Sequence, residues 1–388
     1  MDTFYRPTWA EISLDALRHN VASFRRLLPN DISLIAVVKA DAYGHGAIPI
    51  AREALASGAG SLAVASFDEA LELRMAGIDA PILVLGYSSE ETLPLAAEHR
   101  ITLAVYTDNL LDALAKRMPE EGTVRIQIKI DTGMGRIGVA GEREAIAFIE
   151  RALNIPSVRV EGLFTHYACA DQSDKTCTRD QYSRFERIIR HFEQRGVTFP
   201  LLHAGNSAAA IDVPELAGNA VRLGISMYGL YPSANVNRER IGLEPVMSLK
   251  TRVVMLKELE AGSGVSYGHK YRTAGREKIA TLPIGYADGF SRMRNGKAEA
   301  LIRGRRVPVV GAICMDQCMI NVSGIEDAAM LDEVTLLGRQ GDEMISAGEW
   351  AAQLGTIEYE VPCMITRRVP RVYIKDGQIV DIVNRLSR

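Results

Sequence analysis

The chain predicts an α/β fold in two parts, an N-terminal (β/α)8 barrel of the TIM type followed by a mostly β domain. Three observations carry this. Over the first two-thirds of the 388 residues, eight short β-branched runs occur, with helix-like segments between most of them. Eight such units spread over roughly 200–250 residues match a single parallel barrel. After about residue 240 the helical segments nearly vanish, and strand-like runs succeed one another.

Thr8–Leu14 reads as a lone strand ahead of the barrel. The barrel strands fall at Leu34–Val38, Leu62–Ala65, Ile82–Leu85, Ile101–Val105, Val124–Ile130, Val158–Phe164, Leu201–His203 and Ala220–Ile225. Near-continuous apolar runs of this kind suit strands covered on both faces. Helix-like stretches lie at Ile48–Ser57, Asp68–Met75, Ser89–His99, Asn109–Arg117, Arg143–Leu153 and Lys175–Arg195, with Ser207–Ile211 as a short extra helix. In the second part Ser248–Leu259, Lys278–Pro283, Arg306–Ile313, Cys318–Val322 and Glu333–Leu337 read as strands. Ser346–Leu354 is the one helix expected there, and Arg371–Val383 is a hairpin around Asp376-Gly377. The expected domains are therefore 14–240 and 241–388, with strand 8–13 joining the second. An open doubly wound sheet is the alternative for the first part, but its first turn lacks Gly-x-Gly-x-x-Gly.

Composition narrows the function classes. The chain is 47% hydrophobic and 24% charged, an ordinary globular balance. Its net charge is −3, and no block of like charge stands out, which argues against nucleic acid or an anionic membrane as partner. Met1–Ala10 has no apolar signal core and no segment approaches a membrane span, so a cytoplasmic location is expected. Five cysteines, without Cys-x-x-Cys or zinc-like spacing, predict reduced thiols and no metal site.

In such a barrel function gathers at the carboxyl ends of the strands. Lys39 follows the first strand, Asp131-Thr-Gly-Met-Gly-Arg136 the fifth, and Thr165-His166 ends the sixth. His203-Ala-Gly-Asn-Ser207 ends the seventh, and Arg222-Leu-Gly-Ile225 lies along the eighth. Five strands thus deliver polar groups to one rim. A lysine at the exit of a buried strand loses hydration, which favours the neutral amine that Schiff-base chemistry requires; a lysine snorkelling to solvent is the plainer alternative. Gly205-Asn-Ser207 opens a short helix near the end of strand seven, where such barrels hold phosphate, and Gly224-Ile225 adds amides to the same place. Ser207 reads equally as an ordinary helix cap.

Val38-Lys-Ala-Asp-Ala-Tyr-Gly-His-Gly46 resembles the pyridoxal-phosphate lysine motif of the alanine racemases. Further similar motifs are Asp131-Thr-Gly-Met-Gly-Arg-Ile-Gly138, Asn206-Ser-Ala-Ala209, Val221-Arg-Leu-Gly224, Met227-Tyr-Gly229, Ser266-Tyr-Gly268, Gly285-Tyr-Ala-Asp-Gly289, Cys314-Met-Asp-Gln317 and Tyr359-Glu360. They run in family order over nearly the whole chain. The departures are Gly205, where the family has alanine, and Asp41, where asparagine is common; neither removes a reactive group.

The resemblance implies interconversion of L-alanine and D-alanine with pyridoxal 5'-phosphate, supplying D-alanine for bacterial peptidoglycan. It implies two bases on opposite faces of the substrate, Lys39 and Tyr267. A tyrosine of ordinary pKa, about 10, is a poor base at neutral pH, so His166, linked to Arg222, is expected to assist by charge or hydrogen bond. The resemblance also implies that Arg222 faces the cofactor's ring nitrogen, which must then accept, because a guanidinium only donates. Tyr43, Asn206, Ser207, Gly224, Ile225 and Tyr359 are implied at the cofactor, most of them at its phosphate. Arg136 and the Met315 amide would take the substrate carboxylate, Tyr286 and Tyr359 would narrow the entrance, and Lys129 is a residue that some relatives carboxylate. Tyr267 and Met315 would come from the neighbouring subunit of a homodimer.

Rival classes fare less well. An amino-acid decarboxylase on the same plan usually shows a Gly-Gly-Gly loop and Glu-Pro-Gly-Arg, both missing here. A pyridoxal-phosphate carrier has no second domain. A racemase of broader substrate range is not separated by sequence.

Overall fold

The computed structural model describes residues 1–117 and 122–387. Their contacts divide the chain into two units, Leu17–Ala42 with Ala47–Leu243, and Met1–Ala16 with Tyr43–Gly46 and Glu244–Arg388.

The first unit is a nearly closed parallel barrel of eight strands. In order they are Ser33–Val37, Ser61–Val64, Ile82–Val84, Ile101–Val105, Val124–Asp131, Val158–Phe164, Leu201–His203 and Ala220–Leu223. Each of the first seven pairs with the next barrel strand except at the junction of the seventh and eighth, and the eighth returns to pair with the first, Val221 opposite Leu34. At that junction the ring is stitched by a bridge between Gly205 and Val221 and by the Arg222 amide donating to Gly205 O at 3.1 Å. All of Ile101–Val105 is buried, because the barrel interior covers one face of the strand and the helices the other.

The crossover helices form where the apolar period is helical. Thr176–Glu193 buries Phe185, Ile188, Ile189 and Phe192 on one side. Phe67–Met75 starts with a capping box, in which Ser66 accepts from the Glu69 amide and Glu69 accepts from the Ser66 amide. The structure adds a helix, Leu14–Leu27, that the strand-and-helix reading of the sequence did not include. Ser13 Oγ accepts from the Ala16 amide at its start, and Leu17, Val21, Phe24 and Leu28 form a buried stripe at helical spacing. Asn20 Nδ2 donates to Met227 O at 3.1 Å, which fastens this helix beside the turn that follows strand eight.

The second unit is built on one long, mostly antiparallel sheet. Thr8–Ser13 lies inside it, antiparallel to Met247–Arg252 and parallel to Arg371–Lys375. The expected strand Ser248–Leu259 is two strands: Met247–Arg252 pairs with Thr8–Ser13 and Glu333–Gln340, whereas Met255–Leu259 pairs with Glu277–Leu282. A strand at Glu299–Ile302 and a short helix at Glu360–Met364 join the elements read from sequence. The Arg371–Val383 hairpin turns at Asp376 (φ 50°) and Gly377 (φ 73°), both left-handed as a two-residue hairpin turn prefers. Tyr43–Gly46 packs here: Arg371 Nε donates to Gly44 O and Tyr373 Oη to His45 O, at 3.0 and 2.9 Å. Gly44 has φ 82° and so little room that a Cβ would collide with Pro362 O.

Candidate active site

Lys39 sits one residue beyond the buried pentapeptide Leu34–Val38, half-buried at the carboxyl end of the first barrel strand. The chain then makes a left-handed turn: Ala40, Asp41, Ala42 and Tyr43 all have φ 53°. Each L-residue held there costs roughly 1–2 kcal/mol, so local contacts must hold the turn in place. Ala40 N donates to Glu69 Oε1 at 2.6 Å, Ala42 N to Val38 O at 2.9 Å, and Ala47 N to Asp41 Oδ1 at 2.8 Å. Glu69, at the start of the helix after strand two, thereby supports the peptide next to Lys39.

Arg222 lies at the centre of the barrel mouth, 4% exposed. Its Nη2 donates to Thr165 O (2.7 Å), Ala204 O (3.0 Å) and His166 Nδ1 (3.0 Å). Its Nη1 donates to His203 Nδ1 (2.5 Å) and His203 O (3.1 Å). Only Nε has no acceptor among the described residues. Burial lowers its pKa to about 10, which still leaves it charged at neutral pH. Because a guanidinium cannot accept, both histidines must accept at Nδ1 and carry their proton on Nε2. Desolvation first, then the charge of Arg222, holds both well below the usual imidazole value. Of the charge or hydrogen bond expected from His166, the lowered pKa favours the hydrogen bond, given through Nε2–H. His203 stacks on Phe164 (4.9 Å, 8°) and places its other nitrogen 2.6 Å from Gln127 Oε1.

Lys129, on strand five, is buried with Nζ 3.0 Å from Ile130 O and 5.4 Å from the Phe164 ring centre. Desolvation, followed by the charges of Arg222 and Arg136, lowers its pKa to about 7 against the opposing pull of Asp131. Asp131 is engaged elsewhere. Its Oδ1 accepts from the amides of Gly133 (2.9 Å), Met134 (2.9 Å) and Gly135 (3.2 Å), folding the loop that carries Arg136. Desolvation alone would raise the Asp131 pKa, but those amides and Lys129 carry it below its ordinary value.

At strands seven and eight two helical turns meet. The cap of Ser207–Asp212 is Asn206, whose Oδ1 accepts from the Ala209 amide at 3.0 Å, so Ser207 is not the cap. Ser207 Oγ instead accepts from the Gly224 amide at 3.1 Å, at the start of the turn Ile225–Tyr228. First-turn amides of both segments lack intrahelical acceptors by construction. Ser226 Oγ is buried nearby without a partner among the described residues.

The remaining sequence-derived residues belong to the other unit. Tyr43 and Tyr359 have ring centres 6.5 Å apart. Burial first, then Tyr359, pushes the Tyr43 phenol pKa up, which keeps it a donor. Tyr267, 73% exposed, rises from a turn anchored by Ser266 Oγ donating to Ala312 O (2.7 Å) and by Val265 packed on Ile279, Val310 and Met319. Tyr286 and Ala287 donate their amides to Cys314 O and Met315 O, each at 3.0 Å, so Tyr286 and Met315 lie on adjoining exposed loops. Beneath Tyr286, the fully buried Asp288 is paired with Arg6 at 2.8 Å.

Fold and rim together define a barrel enzyme with a cation-rich mouth suited to a ligand bearing anionic groups. Residues 12–232 match the alanine racemase N-terminal domain and residues 246–373 the alanine racemase C-terminal domain. An alanine racemase of Methanococcus maripaludis is 48% identical over 95% of this chain and 99% of its own length. The crystal structure of an alanine racemase from Bacillus anthracis with bound L-Ala-P superposes with a TM-score of 0.93 at 43% identity, covering both chains completely. A histidine racemase from Leuconostoc mesenteroides superposes with a TM-score of 0.89 at 30% identity, covering 96% of this chain and 100% of the other. The chain belongs to the alanine racemase family and is a racemase, an isomerase of amino acids.

Sequence reading placed Thr132, Thr165 and His203 at the strand ends without giving them a role, and it missed Gln127, Glu69 and Gln181. All of them act behind the rim residues, Thr132 and Thr165 through a hydroxyl pair at 2.7 Å. Polar residues inside otherwise apolar barrel strands, such as Gln127 in Val124–Asp131, are the signal that could have found some of them.

Proposed function

We propose that this chain interconverts L-alanine and D-alanine by a two-base mechanism with pyridoxal 5'-phosphate, in a homodimer whose sites take residues from both subunits, and supplies D-alanine for peptidoglycan. The observation that carries the reading is the donor set of the barrel mouth. Lys39, Lys129, Arg136 and Arg222 converge there, the carboxylate of Asp131 is turned onto backbone amides, and Arg222 Nε has no protein acceptor among the described residues. Such a set fits a phosphate, a carboxylate and an aromatic ring nitrogen that accepts a hydrogen bond.

When bound, pyridoxal phosphate is an electron sink that acidifies the substrate's α-carbon. Lys39 would be joined to it covalently. Ser207, Gly224, Ile225, Asn206, Tyr43 and Tyr359 would hold its phosphate end, and Arg222 Nε its ring nitrogen. Lys39 Nζ moves the α-proton on one face of the substrate and Tyr267 Oη on the other. His166, neutral with Nε2–H available, lowers the cost of the phenolate that Tyr267 must form. Arg136 and the Met315 amide orient the carboxylate, and Tyr286 and Tyr359 exclude larger side chains.

The test is L-alanine with the purified holoenzyme in D2O, following optical rotation and α-deuterium by NMR, with Lys39→Ala as control. Loss of rotation with deuterium at the α-carbon, absent in the control, is expected. Exchange with retained rotation would remove Tyr267 from its role. Mixing Lys39→Ala with Tyr267→Phe subunits should restore part of the activity; no return after verified exchange would place each site within one chain.

A further inference from the structure

Cys169 and Cys177 form a thiol pair beside the catalytic rim. Cys169 lies three residues after His166, in the loop that leaves barrel strand six, and Cys177 is the second residue of the helix Thr176–Glu193. The neighbouring Cys177 thiol, followed by burial, raises the Cys169 pKa, so the two groups sense one another. A second set of contacts brings them together independently. The buried Gln181 accepts at Oε1 from the Ala168 amide (2.9 Å), the neighbour of Cys169, and from Cys177 Sγ (4.0 Å).

The loop between them is folded back on itself. The Gln172 amide donates to Cys169 O at 3.1 Å, and Lys175 Nζ donates to Ala170 O at 2.7 Å while pairing with Asp212 at 2.6 Å. Cys177 is exposed and Cys169 half-buried, so an external oxidant reaches Cys177 first. The same Gln181 donates through Nε2 to His166 O at 3.1 Å and to Thr132 Oγ1 at 3.5 Å, connecting the thiol pair to the segment that carries His166 and to the loop that leads to Arg136.

We infer that Cys169 and Cys177 are an oxidisable dithiol, and that a peroxide converts them to a disulfide which draws the His166 loop onto the following helix and slows racemisation. The step balances with the peroxide as the two-electron oxidant. The Cys177 thiolate attacks one peroxide oxygen, the O–O bond breaks, and a sulfenic acid and one water (after protonation) result. Cys169 sulfur then attacks Cys177 sulfur, the S–O bond breaks, and a second water leaves with the remaining thiol proton. Two neighbouring thiols must still close to the S–S length of roughly 2.0 Å. That movement falls on a loop whose backbone is tied to Gln181, so the seat of His166 shifts with it.

Trypsin makes the test direct, because cleavage after Lys175 separates the two cysteines. The holoenzyme is treated with hydrogen peroxide, digested without reductant and analysed by mass spectrometry, with activity assayed in parallel. The expected result is a linked species of peptides 160–175 and 176–179, two hydrogens lighter than their sum and released by dithiothreitol. Turnover should fall about tenfold and return on reduction, the scale expected for a small displacement of catalytic groups. Cys177→Ser should abolish both the cross-link and the reversible loss, whereas Cys363→Ser should change neither. Over-oxidation of Cys177 without the cross-link, or a disulfide to another cysteine, would overturn the pairing. A cross-link with unchanged turnover would overturn its effect on the reaction.

Discussion

Nη1 of Arg222 lies 2.5 Å from Nδ1 of His203. Since the guanidinium only donates, the imidazole accepts there and its proton resides on Nε2, aimed at Gln127 Oε1 at 2.6 Å. One permanent cation thus sets the tautomer of His203 and, through Nη2, that of His166. Polarity is passed inward to a buried carboxamide and outward to the rim.

Both histidines should therefore remain neutral far below the usual imidazole value of 6.5. Their folded pKa values are depressed, so between those values and 6.5 the unfolded chain binds more protons than the folded one. Their contribution to stability rises with pH over that window and is lost on acidification. Nitrogen-15 NMR of the ring nitrogens from pH 7 to 5 should show two constant Nε2–H tautomers; ordinary titration curves would contradict the assignment.

Glu69 carries the strained turn after Lys39. Its carboxylate accepts from Ala40 N at 2.6 Å, Ala65 N at 2.7 Å and Ser66 N at 3.2 Å. Glu69→Ala should cost about 1–3 kcal/mol in urea unfolding, with Glu69→Gln milder because one acceptor remains. Ala40→Gly should be neutral or stabilising in the same measurement. The left-handed cost of roughly 1–2 kcal/mol disappears, against a smaller entropy gain in the unfolded chain.

Lys129, with its pKa lowered to about 7 from 10.5, should be largely neutral under mildly alkaline conditions. The unfolded chain binds the extra proton between those two values, so stability should climb with pH across that window and flatten in Lys129→Met. A neutral amine beside Arg136 is also a nucleophile for carbon dioxide, and the carbamate formed would pair with the arginine. Native mass spectrometry in bicarbonate should show one added carbon dioxide, missing in Lys129→Met; no uptake would count against the carboxylated form.

Arg294 is fully buried between Trp350, 3.8 Å from its guanidinium carbon to the ring centre, and Phe290, at 5.0 Å. Nε donates to Gln353 Oε1 at 2.7 Å, but Nη1 and Nη2 have no acceptor among the described residues. Burial accordingly lowers its pKa to about 9. Replacing a poorly satisfied buried charge with an apolar chain of similar volume is often neutral or stabilising, so Arg294→Met should leave the melting temperature unchanged or raise it. Trp350→Ala, which opens a cavity, should cost about 3–5 kcal/mol.

The alternation of apolar runs with helical segments was legible because buried parallel strands need continuous apolar sequence, and the rim residues were legible because strand ends place them there. Lys39 and Arg222 could be read in this way. The helix Leu14–Leu27 was equally written in its Leu17, Val21 and Phe24 stripe, yet it lies ahead of the strand count that organised the rest. Tertiary structure alone decided what sequence spacing does not encode. Thr8–Ser13 is sandwiched between strands from residues 247–252 and 371–375, a pairing that no local pattern specifies. The left-handed turn at Ala40–Tyr43 runs against the preference of every residue in it and depends on Glu69, far along the chain. Asn206 rather than Ser207 caps the short helix, because the Gly224 amide occupies the serine. The protonation states of Lys129, His166 and His203 follow from burial around one arginine. Periodicity and residue type determine which elements form and which end carries chemistry; dielectric, hydrogen-bond partner and charge neighbour exist only once distant segments meet.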